Sequence, residues 1–204
     1  MLKIAKRIVA HLLSSGVIIY SITLEFNKYS NLEHNLFIIF ILPYIISNIA
    51  VLFMLMVATF FNRPAAVNSS NKMFVVSILA TNLPVIIMLF KLDIIGHVYQ
   101  PLANAASLLS VMLIPFYLAA VFSLGRNLSV LPEANKLQTT GLYSISRHPL
   151  YFTYICWYIL QTLVVQSVII LLCSLIQIIL QIVRARCEES LLAQNFPEYP
   201  AYKA

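Results

Sequence analysis

A series of apolar stretches, each long enough to cross a bilayer, constrains this chain more than any other feature. A membrane-spanning helix needs about 17–25 predominantly apolar residues. Such stretches run from about Ile8 to Leu24, Leu36 to Phe61, Met73 to Phe90 and Pro101 to Leu124. A further apolar tract, Leu150 to Val183, has 34 residues. As one helix it would reach roughly 51 Å, against a hydrocarbon core of about 30 Å. Two short helices are therefore expected, turning near Gln161–Ser167, where Gln161, Thr162, Gln166 and Ser167 interrupt the apolar residues. The expected fold is an all-α, polytopic integral membrane bundle of about six transmembrane helices ending in a C-terminal helical hairpin. Residues 1–124 form a four-helix transmembrane region and residues 125–204 a distinct, more polar one.

Composition agrees. Of the 204 residues, 61% are hydrophobic and 10% charged, where soluble domains carry about 25% charged residues. A soluble enzyme, a disordered protein and a nucleic-acid-binding module are excluded. The four glycines, Gly16, Gly96, Gly125 and Gly141, have neither dinucleotide-binding nor P-loop spacing. Cys156, Cys173 and Cys187 are odd in number and form no C-x-x-C pair, so neither a disulfide framework nor a zinc site is expected, and no metal is assigned. The N-terminal segment has Lys3, Lys6 and Arg7 ahead of a run of spanning length, and Glu25-Phe26-Asn27 follows in place of a cleavage site. It reads as a first helix rather than a signal peptide.

Charge orients the bundle. With six spans, 11 of the 13 Lys and Arg residues fall on the side of the two termini, and only Lys28 and Lys91 on the other. The excess of positive charge in cytoplasmic loops then places both termini in the cytoplasm. The basic net charge reads as topology and contact with anionic lipid. Pro43, Pro84 and Pro115 fall inside helices two, three and four. They are tolerated there if neighbours satisfy the freed carbonyls. His11 reads as a packed histidine, and Asp93 as a solvated carboxylate at the outer end of helix three.

Polar chemistry concentrates in the last third. Residues 125–149 are polar and lack helical periodicity, and ordered segments of this length are usually functional. Gly141 after Thr139-Thr140 marks a tight turn. Pro149 suits the first position of a helix, which puts Arg147 and His148 at a helix N-terminus, where free N–H groups and the dipole favour an anion. Arg and His reaching to lipid headgroups would read the same way. At the other end of the hairpin, Arg184 and Glu188 share a helix face, with Glu189 beside them. A returning hairpin brings Glu188 near His148. Tyr143, Tyr151, Tyr154, Trp157 and Tyr158 add aromatic faces able to stack on a base or attract a cation. They also suit an interfacial belt.

These residues carry a family resemblance. The segment Leu137-Gln138-Thr139-Thr140-Gly141-Leu142-Tyr143-Ser144-Ile145-Ser146-Arg147-His148-Pro149-Leu150-Tyr151, followed by a hydrophobic hairpin and Glu188-Glu189, resembles the isoprenylcysteine carboxyl methyltransferase family. The tail Phe196-Pro197-Glu198-Tyr199-Pro200-Ala201-Tyr202 is similar to that family's Phe-Gly-Glu-Glu-Tyr-x-x-Tyr ending, one residue shorter. Thr153 stands where the family often has glycine. The resemblance covers about residues 124–204 and implies a membrane-embedded, S-adenosylmethionine-dependent methyltransferase, with 125–204 as its catalytic region. It implies a cofactor pocket, open to the cytosol, lined by Asn135, Lys136, Leu137, Gln138, Tyr143, His148, Pro149, Leu150, Tyr151 and Glu188. Arg184 would meet a substrate carboxylate, and the acceptor would be a lipid or lipid-modified molecule.

A carboxylate acceptor is already ionised at neutral pH and needs no general base; an amine or phenol would need one, and Glu189 is the nearest. Two other readings stay open. Sterol reductases have a similar Gly-Leu-x-x-x-x-Arg-His-Pro-x-Tyr segment and use NADPH. A small transporter or assembly protein is the non-enzymatic alternative, though transporters usually carry mid-membrane ionisable residues and internal repeats. Richness in Ile, Asn, Lys and Ser suggests a bacterial inner membrane, and the acceptor itself is not legible.

Overall fold

The computed structural model describes residues 2–29, 42–61, 66–67, 70–89 and 98–203. The helices are α1 (Leu2–Tyr29), α2 (Leu42–Phe61), α3 (Asn71–Leu89), α4 (Gln100–Leu124), α5 (Pro149–Val165), α6 (Val168–Asn195) and α7 (Tyr199–Lys203). Two short strands, β1 (Ala66–Val67) and β2 (Glu133–Ala134), pair antiparallel with Ala66 opposite Ala134 and Val67 opposite Glu133. Asp93, Lys91 and the expected start of the second span at Leu36 lie outside the described residues.

Among the described residues three helices are long and apolar enough to cross a membrane: α1 over Ala5–Thr23, α4 with the turn after it over Gln100–Asn127, and α6 over Val168–Asn195. Shorter apolar helices cover Ile45–Phe61 and Pro149–Val165. Bundle and family resemblance together make this an integral membrane protein. Many apolar side chains point outward, among them Phe60, Met112, Phe116, Leu172 and Ile179. In water such a surface would be an aggregation hazard; in lipid it is the solvated face.

The hairpin breaks where polar residues predict it. Gln166 caps α5 in the left-handed region (φ 51, ψ 39), and Ser167 restarts the chain in an extended conformation. Gln166 also ties the turn to the start of α4: its Oε1 accepts from the Tyr99 N–H at 2.9 Å, and its Nε2 donates to the Tyr99 carbonyl at 3.0 Å. The second arm is longer than hydropathy alone implies. It continues past Val183 to Asn195 without a break, because the polar residues that follow are good helix formers.

Pro43 does not interrupt the described part of its helix: α2 begins at Leu42, so Pro43 stands in its first turn. Pro115 is interior to α4, and Pro84 to α3. Lacking an N–H, Pro84 leaves the Ala80 carbonyl without its helical donor. Gln181 Nε2 supplies one at 3.1 Å and the Tyr158 hydroxyl another at 3.4 Å. Gln181 belongs to a buried polar stripe on α6, Ser174, Gln177, Gln181 and Arg184, whose 3-4-3 spacing keeps one face toward the bundle. Ser174 meets Thr162 at 2.9 Å. Gln181→Leu is therefore expected to lower stability by about 1–2 kcal/mol. Adding Pro84→Ala should recover part of that loss by restoring the helical donor; thermal unfolding of the single and double variants in detergent checks it.

The apolar core lies at one end of the bundle. Ala10, Val51, Leu55, Ala120 and Val121 meet Leu128, Val130, Leu131 and Leu150 there. Polar by composition, the segment after α4 is nonetheless buried from Val130 through Ala134. It runs as a strap between α1 and α6. His11 holds it from one side: its Nδ1 lies 2.6 Å from Thr59 Oγ1, and its Nε2 3.4 Å from the Val130 nitrogen. Thr59 already donates to the Leu55 carbonyl at 2.7 Å, so the pattern calls for a neutral ring with the proton on Nδ1. His11 is thus the packed histidine that the sequence suggests.

Candidate functional site

The site forms where the strap, the start of α5 and the end of α6 converge. Gly141 opens the short 3₁₀ turn Gly141–Ser144 with φ +66. A Cβ there would strain the backbone and stand 2.7 Å from Ser123 Oγ. The turn delivers Tyr143 to the interior, 8% exposed. His148 then precedes α5, which starts at Pro149, and its N–H donates to Ser146 Oγ at 3.3 Å.

Two carboxylates from α6 meet this segment, each with its own partners. Glu189 Oε1 lies 3.0 Å from Arg147 Nη1 and 3.1 Å from His148 Nε2. Glu188 Oε2 accepts from the Tyr151 hydroxyl at 2.8 Å. Consecutive helical residues point about 100° apart, so one acid serves the Arg-His pair and its neighbour the tyrosine. Arg184 stands one turn before Glu188 but does not form a solvated pair with it. It is 5% exposed. Its Nη1 donates to Gln181 Oε1 at 3.0 Å and its Nη2 to the Val130 carbonyl at 2.8 Å, while its guanidinium carbon lies 5.3 Å from the centre of the Tyr151 ring.

A small pocket, about 30 Å³ inside with a wider open mouth, lies among these elements. Asn135, Lys136, Leu137 and Gln138 line it from the strap, Tyr143 and His148 from the turn, and Glu188 from α6. Three other residues implied by the resemblance lie behind this wall. Pro149 and Leu150 are buried at the start of α5, and Tyr151 acts on the pocket through Glu188. Glu189 faces a neighbouring surface hollow with Arg186 and Tyr199.

Arg147 of the Arg-His-Pro-x-Tyr segment also lines the pocket, which has further walls beyond the residues the sequence suggested: Glu133 and Asn127 from the strap, Leu192, Tyr199 and Tyr202. The two tyrosines stand in the tail that resembles the family ending, which was the available signal. The Tyr202 hydroxyl donates to the Tyr143 carbonyl, docking α7 over the pocket. No local pattern singles out Glu133.

Burial and the Glu188 charge push the Tyr143 phenol far up. Burial also raises Tyr199, helped by Glu189, and Tyr202, where Arg147 opposes it. All three are neutral phenols at physiological pH. Glu133 is raised by burial, against the pull of Arg7. Among the described residues no cluster of His, Cys, Asp and Glu could hold a metal, and Cys156, Cys173 and Cys187 form no disulfide.

The fold and pocket define a helical membrane protein with a polar, aromatic-walled site built on its C-terminal hairpin. Residues 106–194 match the model of the Isoprenylcysteine carboxyl methyltransferase (ICMT) family, bearing out the resemblance carried by the Arg-His-Pro-x-Tyr segment. The matched stretch holds the strap, the turn, the hairpin and both carboxylates, and omits α1 to α3, Tyr199 and Tyr202. No curated protein matches the chain.

Proposed function

We propose that this protein is an integral membrane methyltransferase that uses S-adenosylmethionine to methylate a lipid or lipid-modified acceptor. One observation carries the reading. Asn135–Gln138, Tyr143, His148 and Glu188, named by the family resemblance from separate stretches of sequence, line one pocket.

The donor set fits the cofactor. Glu188 offers a carboxylate to a cationic or hydroxyl group. Tyr143, Tyr199 and Tyr202 offer neutral aromatic faces for a purine. Asn135 Oδ1, buried on the wall without a hydrogen-bond partner, offers an acceptor. When bound, S-adenosylmethionine supplies an electrophilic methyl group. The protein's task is then to position the acceptor and exclude water, which can provide several kcal/mol of the barrier. Arg184 suits an anionic acceptor: its Nε is buried without a partner, and its two other nitrogens are already fixed. For a carboxylate no general base is needed. For an amine acceptor, Glu189 would serve through His148, to which it is bonded at 3.1 Å.

In this reading six helices cross the membrane and both termini are cytoplasmic, as the distribution of Lys and Arg favours. Residues 1–124 form the membrane region and 125–204 the catalytic region, in a bacterial inner membrane. The pocket's place at the end of apolar helices supports a lipid or lipid-modified acceptor, and the reading includes carboxyl O-methylation. Calorimetric titration of the purified protein in detergent is expected to show binding of S-adenosylhomocysteine and none of NADPH. Binding of NADPH alone would overturn the reading in favour of a reductase.

A further inference from the structure

We propose that the first helix completes the cofactor pocket: Arg7 of α1 is a positioning residue that acts through Glu133 to fix the wall formed by residues 133–138. The inference rests on the S-adenosylmethionine reading of the pocket. Arg7 lies far outside the stretch that matches the family, and nothing in the motif points to it.

Arg7 and Glu133 are each 5% exposed. Arg7 Nε stands 2.8 Å from Glu133 Oε1, and Arg7 Nη2 donates to the Ala58 carbonyl of α2 at 2.9 Å. The other carboxylate oxygen, Glu133 Oε2, accepts from Asn135 Nδ2 at 3.3 Å, and the same nitrogen lies 3.1 Å from the Asn127 carbonyl. Glu133, Asn135 and Asn127 all line the pocket. A chain of contacts therefore runs from α2 through Arg7 and Glu133 to the amide whose Oδ1 is left unpartnered on the wall. One turn along α1, His11 reaches the Val130 nitrogen at 3.4 Å, and from the far side Arg184 holds the Val130 carbonyl at 2.8 Å. The strap is pinned from both flanks just before it becomes pocket wall.

Stability alone does not account for this pair. Desolvating two charges commonly costs as much as their attraction returns, and apolar residues of similar volume would hold the helices as well. What apolar residues cannot do is fix a carboxylate's orientation. Glu133 Oε1 is committed to Arg7, which leaves Oε2 directed at Asn135. Without the arginine, Glu133 would keep only its hydrogen bonds from Ser129 and Asn135 against the burial that favours its neutral form, and nothing would fix which oxygen faces Asn135.

The test uses the full chain in detergent, with S-adenosylhomocysteine affinity by calorimetry and thermal unfolding in parallel. Arg7→Met and Glu133→Gln are each expected to weaken binding by about tenfold or more, as misplaced binding groups do. The double variant should bind no worse than the weaker single, because both act on one contact. Arg7→Lys should recover part of the loss. Ser14→Val is the structural control: Ser14 is a buried α1 residue that accepts from Asn82 at 3.3 Å. It should lower the melting temperature and leave affinity intact. Wild-type affinity in folded Arg7→Met, or losses that multiply in the double variant, would overturn the inference. If a single variant fails to fold, the double variant, which leaves no charge buried alone, decides: weakened binding supports the inference and unchanged binding overturns it. Failure of the wild-type protein to bind S-adenosylhomocysteine refutes the cofactor reading and this inference with it. Wild-type binding with indifferent variants refutes the inference alone.

Discussion

Glu188→Gln is expected to weaken S-adenosylhomocysteine binding by about 10–100-fold, the cost of losing a charged hydrogen-bond partner in a partly desolvated site. Glu188 lines the pocket, and its Oε2 is oriented by the Tyr151 hydroxyl at 2.8 Å. Glutamine keeps the shape and can still accept from Tyr151, so the change isolates the charge. His148→Ala should also weaken binding, since His148 lines the same pocket and is steadied by Glu189. Titration of each folded variant checks this. Undiminished affinity in both would sink the assignment of the pocket to the cofactor.

The second large effect is expected at Arg184. Arg184→Lys should lower methyl transfer by about 10²-fold or more, as loss of an orienting group does, with cofactor affinity nearly unchanged. The guanidinium holds Gln181 and Val130 with its terminal nitrogens and keeps Nε unpartnered in a buried setting. Lysine brings one ammonium in place of a planar fork. It can keep the bond to the Val130 carbonyl, which preserves the strap, but cannot also present a fixed donor to an anionic acceptor. Kinetics against a lipid extract with labelled cofactor, alongside titration of S-adenosylhomocysteine, separate the possibilities. A fall in cofactor affinity as large as the fall in turnover would move Arg184 into the cofactor site or the fold.

These two outcomes read successive turns of one face of α6. The face with Ser174, Gln177, Gln181 and Arg184 is buried against the bundle, while Glu188 and Glu189 emerge where the helix leaves the apolar layer. The helix thus carries both the membrane seam and the acids of the pocket. Its continuity to Asn195 ties their spacing together.

Much of this architecture is written locally. Apolar runs of spanning length, the polar break at Gln166–Ser167, the turn at Gly141 and the helix start at Pro149 are short-range properties. Each is set by hydropathy or by the dihedral preferences of a few neighbouring residues. The sequence also determined that Arg147, His148, Glu188 and Glu189 would meet at one end of a hairpin, because a returning helix pair admits no other arrangement. The tertiary structure alone decided the pairings. Glu189 takes Arg147 and His148, Glu188 takes Tyr151, and Arg184 turns inward to Val130. It alone buried the strap, brought Tyr199 and Tyr202 over the pocket, and joined Arg7 to Glu133 across 126 positions of sequence. The reason is geometric. Hydropathy specifies that a helix lies in the bilayer, but its rotation and depth come from packing against neighbours, and a 100° turn per residue decides which of two adjacent acids faces the pocket.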